Sequence, residues 1–128
     1  MRNMSFSMTT PQVRDQLKDV TRRNGWWWLA VGEYVQPVEK GMGLKLGEKV
    51  VRINGPIFII AAHAEPLRRM TIDLAYGIEE CRREGFPQLT PAEFVAMYCA
   101  ANRCTPDTLV NRIAFRYATA LPQFHTYI

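Results

Sequence analysis

Hydrophobic residues along this chain change period twice, and that change limits what it can fold into more than any single motif. Up to about Pro66 the apolar runs alternate or are short and β-branched. From Thr71 to Tyr98 they recur at helical spacing, and from Leu109 to Tyr117 they alternate again. Met4–Met8 alternates apolar with small polar residues, as a half-buried strand does. Thr9-Thr10-Pro11 opens a short helix over Pro11–Leu17, with Val13 and Leu17 on one face. Lys18–Arg23 is strand-like and ends at the Asn24-Gly25 turn. Tyr34–Val38 alternates, and its Pro37 marks an edge or a bulge. Lys49–Ile53 and Ile57–Ala62 flank Asn54-Gly55, a strong hairpin signal.

Thr71 is placed to cap a helix over Ile72–Arg83, with Leu74, Ile78 and Cys81 on its apolar face and Gly85 as its stop. Thr90-Pro91 opens a second helix, with Glu93 completing a capping box and Phe94, Met97 and Tyr98 facing inward. Two helices inserted before a last strand do not make the alternating order of a doubly wound parallel sheet. The expected class is α+β: a small, partly open β-barrel of five or six strands with two to three helices packed at its side. One domain is expected over residues 1–117, followed by a tail, 118–128. The apolar part of that tail, Leu121–Ile128, can dock on the body or on a second copy, so a homodimer or a non-catalytic interaction module is the alternative to a ligand-binding function.

The chain has 128 residues and a net charge of +4, and 12 of its 16 basic side chains are arginine. Guanidinium pairs bidentately with phosphate, so the bias suits a polyanionic partner better than a lysine excess would. No apolar run approaches a membrane span and no signal-peptide pattern opens the chain, so a cytoplasmic protein is expected. The three cysteines, Cys81, Cys99 and Cys104, have no disulfide-framework or zinc-knuckle spacing and read as reduced thiols. The glycine-rich stretch Lys40–Gly47 lacks a phosphate-loop pattern and reads as a flexible loop. No metal and no cofactor is expected.

Chemistry concentrates between Lys18 and Trp28. Lys18 and Thr21 offer a base and a hydroxyl, which can work together only if a turn or bulge brings them to one face. Arg22 and Arg23 alternate on a regular strand, so at most one of them shares a face with Thr21. That one can grip a phosphate or carboxylate while the other is solvated. Of Trp26, Trp27 and Trp28, at least one should line a groove where it can stack on a base. Glu79, Glu80 and Glu84 crowd the end of the first long helix, and one of these carboxylates aimed into a cleft would complete an acid–base set.

The pattern Lys18-x-x-Thr21-x-Arg23, then Gly32-Glu33 leading into a strand, then Arg83-Glu84-Gly85-Phe86 before a helix, resembles the ASCH domain family, whose fold is a PUA-like β-barrel. The likeness is closest to the small phage and bacterial versions and spans roughly Ser5 to Tyr117. The resemblance implies binding of RNA or of a modified nucleoside in a cleft between barrel and helices. One branch consists of amidohydrolases acting on N4-acetylcytidine, whose catalytic lysine, threonine and glutamate fall on Lys18, Thr21 and Glu84. The family arginine falls on Arg23. Arg22, Trp26 and Trp28 are the further candidates for substrate binding. Where the family often has a glycine-led turn before its lysine, this chain has Gln16-Leu17.

Overall fold

The computed structural model describes residues 1–118, so the tail segment Leu121–Ile128 lies outside the described residues. The elements run β1 (Arg2–Ser5), α1 (Thr10–Arg14), β2 (Val20–Arg23), β3 (Tyr34–Val38) and β4 (Ile57–Pro66). They continue with α2 (Arg69–Ile72), α3 (Leu74–Arg83), α4 (Pro91–Asn102) and β5 (Leu109–Tyr117). The five strands form one mixed sheet in the order β1-β3-β4-β5-β2, parallel only between β1 and β3. The class is α+β, as expected. The sheet is not closed into a barrel: β1 and β2 remain its two edges, and four helices rather than two or three pack around it among the described residues.

The long β4–β5 pair is the spine, with a bulge between Ile59 and Ala61. Along β5 the two faces feed two cores. Ile113 and Phe115 join Met4, Phe6, Val13, Val35, Ile57 and Ile59 on one side. Val110 joins Leu67, Met70, Cys81, Phe94 and Tyr98 under the helices on the other. Each fully buried side chain of this size contributes about 1.5–3 kcal/mol.

The hairpin signal at Asn54-Gly55 is only half realised. Asn54 takes a left-handed conformation (φ 56°) and turns the chain into β4. Lys49–Ile53 forms no strand, however, and only an isolated bridge joins Arg52 to Val38. The partner of β4 is β3, through Tyr34–Phe58 and Val35–Ile57. Pro37 lies beyond that short pairing, so its missing N–H leaves no gap between β3 and β4. Its carbonyl instead accepts from the Ile53 N–H at 2.9 Å.

Of the three expected hydroxyl caps, one closes its helix by side-chain hydrogen bonding, and not all the expected faces are kept. Thr90 and Glu93 form the reciprocal capping box of α4. Thr71 caps nothing: the expected single helix is divided at Asp73, which caps α3 through the Tyr76 N–H. On α3, Leu74 and Ile78 face solvent at 60% and 58% exposure, while Gly77, Glu80 and Cys81 are buried. The helix has been turned so that Glu80 points inward while Glu79 stays at the surface with Arg82, and this reversal shapes the candidate site. Among the described residues, no helix is long and apolar enough to cross a membrane.

Candidate functional site

The open seam of the sheet is a cleft of about 200 Å³. Phe6 and Thr9, just past β1, form one wall. Phe94, Tyr98 and Asn102 of α4 form the other, and Lys18, Thr21, Arg22, Arg23 and Glu84 line the floor. Arg23 on the β2 edge closes over the Phe6 ring, 4.7 Å from its centroid.

Lys18 reaches this floor because α1 stops early. The helix ends at Arg14 rather than Leu17, and Gln16 adopts φ 58°. The N–H groups of Leu17 and Lys18 both turn back onto the Gln12 carbonyl, at 2.8 and 3.3 Å. Leu17 is thereby exposed and Lys18 buried. A left-handed residue is thus supplied by Gln16 in a segment that has no glycine, at a cost of about 1–2 kcal/mol. The turn is pinned from outside: Asp19 N–H donates to the Arg83 carbonyl, and the Asp19 carboxylate pairs with Arg83, each at 2.9 Å.

Glu84 is the C-cap of α3, and Gly85 follows it at φ 96°, where a glycine was expected to stop the helix. A side chain at Gly85 would strike Gln12, the same residue that anchors the Lys18 turn. The two turns therefore lock together. The Lys18 ammonium donates to the Glu84 carboxylate and to the Glu84 carbonyl, both at 2.7 Å, and both side chains are buried. Burial drives the Lys18 pKa down. The Glu84 charge only partly opposes this, and Arg23 and Arg22 add to the fall.

The strand register separates the remaining candidates. Thr21 and Arg23 stand opposite Ile113 and Asn111 on one face, while Arg22 stands opposite Arg112 on the helix face. Thr21 shares its face with one arginine, and that one is Arg23. Arg23 Nε–H donates to Thr21 Oγ1 at 3.0 Å. Lys18 precedes the strand, so its turn, not a bulge, lets it join Thr21 at the cleft.

Both terminal nitrogens of Arg22 are taken by the protein's own groups, while its buried Nε has no hydrogen-bond partner. Its guanidinium donates to Glu84 at 3.0 Å, Glu65 at 2.8 Å, Glu80 at 2.6 Å and the Tyr76 hydroxyl at 3.2 Å. Burial works against its charge, but Glu84 and Glu80 outweigh it and the pKa rises. Arg112 adds two hydrogen bonds to Glu80, at 2.6 and 2.9 Å. Glu65 reaches the rim of the network, where it meets Arg69 and His63.

Hydrogen bonds and charge from Arg112 and Arg22 overcome burial and hold the Glu80 carboxyl at about 2. Its folded pKa lies below the ordinary carboxylate range, so its contribution is complete above about pH 4.5 and is lost as pH falls through about 2. The expected size is about 3 kcal/mol, on the order of 1.4 kcal/mol per pKa unit. Urea unfolding between pH 6 and pH 2 measures it. Glu80→Gln should flatten this acid limb, and an unchanged slope in that variant would contradict the assignment.

The structure therefore brings Lys18, Thr21, Arg22, Arg23 and Glu84 to one cleft. Trp26 and Trp28 are not among its lining residues. Trp26 packs on the first core, and the half-exposed Trp28 lies under the Arg2 guanidinium at 3.5 Å. Reasoning from sequence missed Glu65, Tyr76 and Arg112 as members of the network, and Phe94, Tyr98 and Asn102 as a cleft wall. The signal available for Arg112 was a charge in the middle of β5, directly ahead of the apolar run Ile113–Phe115. Comparison with family models, curated proteins and solved structures gives no match to this chain.

Proposed function

We propose that this chain is an ASCH-type protein of PUA-like fold, open at the β1/β2 seam, whose cleft takes RNA or a modified nucleoside. We further propose that Lys18, Thr21 and Glu84 hydrolyse an N4-acylcytidine-type amide there. The observation that carries the proposal is the arrival of all three side chains, from three separate segments, on the floor of one cleft, with Lys18 and Glu84 2.7 Å apart.

The chemistry follows from the surroundings of each group. Thr21 Oγ1 attacks the amide carbonyl while its proton passes to Lys18 Nζ. Lys18 must be neutral to accept it, and burial favours that form, with its own proton passed along the short contact to Glu84. The Arg23 Nε–H on Thr21 Oγ1 stabilises the developing alkoxide. Cleavage of the C–N bond returns a proton to the leaving exocyclic amine and leaves an acyl-threonine. Water then releases the acid, with Lys18 and Glu84 moving its proton.

The test is incubation with N4-acetylcytidine, following acetate and cytidine by chromatography. Wild-type protein should convert it. Thr21→Ala should abolish turnover, and Lys18→Ala should lower it by about a hundred- to ten-thousand-fold, the range for a general base. Unconverted substrate, or turnover that survives both substitutions, would rule out the hydrolase. Salt-dependent binding to a single-stranded RNA panel tests the binding half separately.

A further inference from the structure

The cleft floor holds an imbalance that the protein does not resolve by itself. Each buried carboxylate near it is already engaged: Glu84 by Lys18 and Arg22, Glu80 by Arg22 and Arg112, Glu65 by Arg22. Arg23 stands outside this set. Among the described residues it makes no ion pair, and its one hydrogen bond goes from Nε to a neutral hydroxyl. Its guanidinium carbon lies 4.7 Å from the Phe6 ring centroid, and the residue lines the cleft. A part-buried guanidinium at a cleft, with no carboxylate of its own, normally meets a carboxylate or phosphate, because a fork of N–H donors has no other partner of equal strength.

We infer that Arg23 is the seat for an anionic group of the ligand, so that the cleft selects a phosphorylated nucleoside over the bare nucleoside. This deepens the nucleoside reading above and rests on it. The two arginines of β2 thus have different jobs: Arg22 is consumed by the protein's own carboxylates, and Arg23 is kept for the ligand's charge. Burial, only partly offset by Glu84, lowers the Arg23 pKa to about 10, in keeping with a cation that lacks a close counter-charge. The hydroxyl of Thr9 and the amide of Asn102 give neutral partners around it. At about 200 Å³ the cleft is smaller than the roughly 300–1,000 Å³ of sites that bury a drug-sized ligand, so it holds part of one nucleotide and leaves the rest at its open mouth.

Titration calorimetry with cytidine, cytidine 5′-monophosphate and inorganic phosphate tests this, together with the Arg23 Nε–Hε signal in the NMR spectrum of the wild-type protein. The monophosphate should bind at least about ten-fold tighter than the nucleoside, the scale of one charge-assisted hydrogen-bonded pair. That advantage should shrink with added salt. Arg23→Gln should bring the ratio of the two affinities near one, and Arg23→Lys should leave it in between. Equal affinity of nucleoside and monophosphate for the wild-type protein overturns the inference and leaves nucleoside binding standing. If neither binds but inorganic phosphate shifts the Arg23 signal, the nucleoside reading falls and the anion seat stands. An Arg23 signal unmoved by both phosphate and the monophosphate overturns the seat without relying on any variant.

Discussion

Arg22→Met should cost the fold about 3–5 kcal/mol, the range for removing one partner of a buried ion pair. Arg22 is one of the most heavily engaged side chains in the protein, facing Glu65, Glu80 and Glu84 at once from a fully buried position. Methionine fills much of the volume but removes one cation from each of Glu65, Glu80 and Glu84, leaving them Arg69, Arg112 and Lys18 respectively. The cost therefore comes less from lost packing than from carboxylates left in a medium that solvates them poorly.

That origin predicts a pH signature. In wild-type protein Glu65 and Glu80 are held below the ordinary carboxylate range, so acid removes stability. In the variant, Glu65 and Glu80 lose part of what holds them below that range, so less stability is lost as acid protonates them. The deficit against wild type should be largest near pH 7 and shrink below about pH 4.5, where the unfolded carboxylates protonate. Urea denaturation of both proteins at pH 7 and pH 2.5 reads this directly. A deficit that stays constant with pH would point to packing loss alone and would remove the charge network from the account.

How much of this could be read from sequence follows the range of the interactions. The local signals held: the Thr90–Glu93 capping box, the Gly85 stop and the alternating run Leu109–Tyr117 are each decided within a few residues, and each stands where expected. The face of α3 was not legible, because it is decided by partners far away in the chain. Leu74 and Ile78 looked like its core stripe, yet Glu80 is drawn inward by Arg22, 58 residues away, and Arg112, 32 residues away. Two desolvated guanidiniums on one sheet face outweigh two leucine-like side chains that α3 can leave in water. The hairpin at Asn54-Gly55 failed for a related reason. The turn formed, but Ile53 is worth more in the core than in a ladder, and β3 supplies the pairing.

The candidate site was legible in its residue types and obscure in its geometry. A spacing of three between Lys18 and Thr21 argued against cooperation on a regular strand. What reconciles them is the left-handed Gln16, a conformation that composition gives no reason to expect of glutamine. The tryptophans drew the eye for their chemistry, but the loop that carries them turns away from the cleft at Trp26, itself at φ 61°.

Gly77→Ala should be the most damaging single-methyl change in the chain, lowering stability by about 3 kcal/mol or more, at or beyond the upper end of ordinary overpacking. An alanine Cβ at this position would sit 1.9 Å from the Met70 carbonyl oxygen and 2.8 Å from Pro91 Cγ. Neither neighbour can give way cheaply, since one is backbone of α2 and the other is the first residue of α4. Helix propensity works the other way, favouring alanine over glycine by about 1 kcal/mol, so a net loss isolates the steric term.

The consequence reaches the cleft. Gly77 lies one turn before Glu80 and two before Glu84, so the close approach it permits sets how far α3 sinks toward the sheet. Lifting α3 by the ångström or so that a methyl needs would stretch the 2.6 Å contacts of Glu80 to Arg22 and Arg112 and the 2.7 Å contact of Glu84 to Lys18 together. Thermal unfolding measures the loss of stability. The acid limb of the stability curve reports the rest: with Glu80 drawn away from its arginines, the pH at which that limb falls should move up from about 2 toward the ordinary carboxylate range. Ile78→Ala is the control on the same helix, because Ile78 is exposed and its truncation should change neither quantity by more than about 0.5 kcal/mol. A Gly77→Ala protein as stable as wild type would mean that α3 does not rest on Met70, and that the inward turn of Glu80 has another cause.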